Sequence, residues 1–169
     1  GATLDVSRGT SPCSFTQSGP AGNTWGLGTP RDRYTCSGFF VGVLSTFSAE
    51  YHPRTCILAP PAGGSSFTRL RFKDVHFGKR IVGHHGLHGG AEHKIEEPPV
   101  TATYRVLSVE AQGTVERDLG AVVHRAGAGW AVFEIDTRGL SGEVGDLMVD
   151  VAGGAGPESS PYCFDADTR

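Results

Sequence analysis

A chain of 169 residues is long enough for one domain with a core and short for two. Its 38% hydrophobic and 20% charged residues make a globular chain rather than a disordered one, and a net charge of −3 argues against a nucleic-acid binder that neutralises phosphates. The 25 Gly and 10 Pro have no period, which argues against collagen and solenoid repeats, and no apolar run approaches the ~18 residues of a membrane span.

The expected architecture is all-β, an antiparallel β-sandwich or jelly roll with an irregular N-terminal extension. A single domain covers 1–169, with 1–35 a loop-rich extension or edge strands and 36–169 the sandwich core. In the extension, TLDV and CSFT read as short strands. The stretch SGPAGNTWGLGTPRDR after them is dense in turn formers. GFFVGVLSTF (Gly38 to Phe47) is apolar and rich in aromatic and β-branched residues, which suits a central strand covered on both faces. Thr55 to Leu58 is a short strand ended by Pro60 and Pro61.

FTRLRFKDVHF (Phe67 to Phe77) is amphipathic: Leu70 and Phe72 point inward, and Arg69, Arg71 and Lys73 outward. Val75 and Phe77 require a one-residue change of phase near Asp74, which a β-bulge supplies. Gly78 to Gly83 is a turn leading into a new strand and the His-rich segment. Val100, Ala102, Tyr104 and Val106 form another alternating face, and Val115 to His124 a weaker strand pair. Trp130 to Val151 reads as two strands of a hairpin with a Gly-rich connection, and Tyr162 to Ala166 as the last strand. No window carries capped helical periodicity.

The four Cys (Cys13, Cys36, Cys56 and Cys163) form no CxxC pair, so zinc-ribbon and thioredoxin-like sites are disfavoured. An even number of widely spaced Cys in an all-strand chain suits two disulfides and an oxidising compartment: secreted, periplasmic or cell-surface. Of the three possible pairings, Cys13–Cys36 with Cys56–Cys163 is favoured; four buried thiols are the alternative. Arg outnumbers Lys twelve to three, a bias of high-GC bacterial genomes.

Cys56-Ile57-x-x-Pro60, LRFKDVHFGKRIVGHHGL, PVTATYRV, GWAVFEIDT, GDLMVDV and YCFDADTR follow one another in an order that resembles the galactose-binding-like jelly-roll superfamily of secreted bacterial modules. The resemblance covers about Cys56 to Arg169. It implies a sandwich that binds sugars, lipids or proteins, or serves as a spacer in a larger enzyme; a shared fold assigns no ligand.

Several constellations could carry chemistry. His84, His88 and His93 sit in a glycine-flexible segment, GHHGLHGGAEHK, and imidazoles of that kind ligate zinc, copper or nickel. Histidines satisfied within the strand are the plainer reading. Asp146, Asp150, Asp165 and Asp167 lie near the C-terminal strands and are either oxygen ligands for calcium or solvated outward-facing carboxylates. Trp25, Tyr34, Tyr51 and Trp130 are candidate platforms for sugar stacking. Trp25 and Tyr51, in loops with His52 nearby, are preferred over Trp130, which begins a core strand. A GxSxG elbow is absent, and so is a GxGxxG turn between strand and helix, which argues against catalysis. The expectation is therefore a non-catalytic extracytoplasmic module that recognises a carbohydrate or surface protein through sandwich-end loops. The alternatives are a self-assembling subunit, a homo-oligomer built on strand edges, and a transition-metal protein.

Overall fold

The computed structural model describes residues 3–17, 23–24, 27–28, 32–49 and 52–169, at 23–24, 27–28 and 45–49 by backbone alone. The strands in chain order are β1 (Leu4–Arg8), β2 (Ser11–Pro12), β3 (Ser14–Thr16), β4 (Asn23–Thr24), β5 (Leu27–Gly28), β6 (Arg33–Cys36), β7 (Phe39–Ala49) and β8 (His52–Leu58). They continue as β9 (Thr68–His76), β10 (Arg80–Leu87), β11 (Val100–Glu110), β12 (Gly113–His124), β13 (Ala131–Asp136), β14 (Val144–Gly153) and β15 (Tyr162–Thr168). One sheet has six strands in the order β12-β11-β14-β9-β1-β2; the other has seven, β13-β10-β15-β8-β7-β6-β3. Every pairing is antiparallel. The two sheets pack as a β-sandwich, the expected fold class.

The inward phases meet in one core. Leu70 of β9, Tyr104 of β11 and Val149 of β14 face Ile81 of β10 and Phe164 of β15, and all five are buried. β9 shows how the pattern sets the geometry. Its pairing with β14 slips between Gly145 and Leu147, and Asp74 sits in the left-handed region at φ 56°. The slip restores Phe77 to the core, where it is 4% exposed.

The stretch from Trp130 to Val151 corrects the expected hairpin. β13 is an edge of the seven-stranded sheet and β14 lies inside the six-stranded sheet. The connection crosses between the layers through a short 3-10 turn, Arg138–Leu140. It plugs one end with the buried Leu140 and is pinned by the Thr137 N–H on the Lys79 carbonyl and the Thr137 hydroxyl on the Gly78 carbonyl. Alternation marks a strand and its buried face but not the sheet that receives it. Val115 to His124 likewise lies within a single strand, β12, rather than a pair.

Part of the N-terminal segment joins the layers: β1 pairs with β9 and β3 with β6. The disulfides are Cys13–Cys36 and Cys56–Cys163. The second spans 107 residues, a loop for which chain entropy nominally gives about 4–5 kcal/mol. Among the described residues no helix is long and apolar enough to cross a membrane.

Candidate functional site

The outer face of a sandwich sheet is ordinarily polar, and on the seven-stranded sheet one region, across β7, β8 and β15, is not. Ile57 and Phe164 pack toward the main core, so their neighbours Cys56, Leu58 and Cys163 point the other way. With Leu44 they form a second buried apolar cluster outside the sandwich, and Trp130 packs on it half-buried. Gly86 makes room for this: a Cβ there would come within 3.1 Å of Trp130 Cε3 and 3.2 Å of the Gly129 carbonyl.

Polar groups ring the indole. The His84 imidazole lies nearly parallel to it, with centroids 5.8 Å apart. Arg54 places its guanidinium 5.9 Å from the indole centroid. His84 is tied to Asp165 on the neighbouring strand, its Nδ1 3.1 Å from the Asp165 Oδ1, which also accepts the His84 backbone N–H at 2.8 Å. Val132 of β13 adds an apolar shoulder, 69% exposed. His52 and Arg54 share the outward phase of β8 with Cys56, so the exposed His52 belongs to the same face. The patch thus combines a half-buried indole with a cation, a carboxylate and an imidazole.

Behind it lies a buried polar knot. Glu92, in the 3-10 turn Gly89–His93, accepts four hydrogen bonds through its carboxylate. Oε1 takes the Leu87 N–H at 2.8 Å and lies 2.6 Å from His124 Nε2; Oε2 takes the N–H groups of Gly127 at 3.0 Å and Gly129 at 2.8 Å. Burial pushes the Glu92 carboxyl up, but the hydrogen bonds from His124, Gly129 and Leu87 outweigh it and hold the group below the usual range. His85 stands edge-on to His124, with ring centroids 4.8 Å apart, and its Nδ1 lies 2.8 Å from the Tyr162 hydroxyl. Burial first, and His124 second, lower the His85 pKa to about 4.

The expected site residues fare differently. Trp25 and Tyr51 lie outside the described residues. His84, His88 and His93 are not brought together: His84 faces outward beside Asp165, His88 follows the end of β10 and is half-buried, and His93 is exposed on the 3-10 turn. Burial lowers the pKa of His88. Among the described residues no three His, Cys, Asp or Glu are grouped to hold a metal ion. The four Asp fall on two sheets, Asp146 and Asp150 on β14 and Asp165 and Asp167 on β15.

The first two are not solvated carboxylates, which corrects that reading. Asp150, 8% exposed, receives the Arg69 Nε and Nη2 at 2.7 and 2.8 Å and the Arg105 Nη1 at 3.0 Å. Asp146 receives the Arg71 Nε and Nη2 at 2.8 and 2.6 Å. Tyr34 donates its hydroxyl to the Leu4 carbonyl and lines a mixed polar and apolar groove on that six-stranded side with Arg69, Arg71 and Glu116.

Sequence reasoning missed Arg54 and the Glu92–His124 knot. Only the outward phase of β8 could have pointed to Arg54, and nothing local links Glu92 to a histidine 32 residues away. No protein-family model matches the chain, and no curated protein matches it either.

Proposed function

We propose that the protein is an extracytoplasmic binding module of the galactose-binding-like kind, from a bacterium, that recognises a carbohydrate. The observation that carries this reading is the half-buried Trp130 indole, packed on a buried apolar cluster outside the main core and ringed by Arg54, His84 and Asp165. Aromatic faces pack on the C–H faces of sugars, and planar charged groups at the rim bond hydroxyls. The rim carries both signs, which suits an uncharged polyhydroxylated ligand better than a phosphate or a polyanion. Two disulfides fit an oxidising compartment. The reading moves the expected site from the sandwich-end loops to the face that His52 shares.

A glycan array followed by titration of the best responders tests it. His84→Ala and Arg54→Ala each weaken binding about tenfold, the effect of losing one hydrogen bond to a charged group, and leave the circular dichroism spectrum unchanged. Silence across all neutral glycans, or affinities indifferent to both substitutions, would refute the reading.

A further inference from the structure

We propose that Glu92 is a positioning residue: its carboxylate is a latch that holds the 125–130 segment down and so sets the pose of Trp130. The proposal rests on the reading of Trp130 as the ligand platform and adds what controls it.

One carboxylate gathers donors from three separate parts of the chain. Leu87 is the last residue of β10, His124 the last of β12, and Gly127 and Gly129 belong to the turn leading into β13. Trp130 follows Gly129 directly, and Ala131 begins the pairing of β13 with His85 of β10. The backbone just before the indole is therefore held at the Gly129 N–H, 2.8 Å from Oε2. Gly129 is buried, so releasing that bond leaves an N–H without water, a costly state that favours one arrangement of the turn.

Gly127 and Gly129 both lie at positive φ, 96° and 67°, and among the described residues the turn ahead of Trp130 has, besides the Glu92 contacts, a turn hydrogen bond from the Ala128 N–H to the Arg125 carbonyl at 3.2 Å. Such a segment takes its shape from the group that binds it. The side chain of His124 is fully buried and orients Oε1 at 2.6 Å, so His124 and the carboxylate set each other's position. Opening the latch frees three backbone amides together and loosens the indole on its cluster.

Backbone hydrogen exchange on the full chain, without ligand, tests the latch. In the wild type, Leu87, Gly127 and Gly129 share one acceptor group, so their amides exchange with a common opening equilibrium, less protected than β14. Glu92→Gln removes the charge from all the bonds; exchange at Gly127 and Gly129 rises about tenfold or more, β14 is unchanged, and the Trp130 indole resonance shifts. Unequal, unrelated protection of the three wild-type amides overturns the proposal, even if Glu92→Gln fails to fold. So does a folded Glu92→Gln protein with an unmoved indole resonance, or one in which β14 loses protection equally. Because no ligand is present, a sound latch with no glycan response rejects only the reading of Trp130 as platform.

Discussion

Asp74 is a non-glycine residue in the left-handed region, at φ 56°, where most side chains meet the backbone. Its backbone N–H donates to the Asp146 Oδ1 at 3.1 Å, so the bulge is tied to the neighbouring strand. Short polar side chains tolerate this conformation and β-branched ones do not. Asp74→Val therefore costs about 1–2 kcal/mol in urea unfolding, and Asp74→Gly changes stability by less than about 0.5 kcal/mol. Equal losses in both would show that the backbone angle is not what selects Asp there. Gly83 answers to a different constraint: a Cβ would fall 2.0 Å from the Asp165 carbonyl oxygen, so the close approach of β10 and β15 demands glycine.

At the scale of elements, alternation was the readable signal. Val100, Ala102, Tyr104 and Val106 all face the core, as their spacing indicated. The bulge in β9 was readable too, because a break of phase must be absorbed somewhere. The partner of a strand was not readable: β13 and β14 have clear alternation yet sit in opposite sheets. The patch was hidden for a related reason, since its apolar floor is assembled from β7, β8 and β15, and only the fold puts Trp130 on it. His85, near the end of β10, and Glu92 in the turn after it carry the pH dependence. His85 has its folded pKa lowered from 6.5 to about 4, so the folded state binds fewer protons than the unfolded chain across that window. Stability is full above pH 6.5 and falls as the pH drops towards 4. Glu92, lowered below its ordinary value, adds a loss in the same direction at more acid pH. Allowing for solvent screening, the folding constant falls roughly tenfold between pH 7 and 5, and His85→Asn removes most of that slope. A profile flat over this range in the wild type would mean that His85 does not sense protons.

On the scale of the whole molecule, both sheet exteriors carry charge pairs, and the seven-stranded one also carries the Trp130 indole. The six-stranded sheet carries charge pairs such as Arg69–Asp150 and Arg71–Asp146, which cover the nearly buried Met148. These ions already satisfy one another. The seven-stranded sheet carries a half-buried indole packed on a buried, disulfide-braced apolar cluster. The proposed carbohydrate site on this second face is checked most directly by a backbone and indole NMR titration of labelled protein with the strongest neutral glycan from the array. The perturbed resonances are expected to cluster at Arg54, His84, Asp165 and Trp130 to Val132. Perturbations confined to the Arg69–Asp150 face, or none anywhere at saturating glycan, would contradict it.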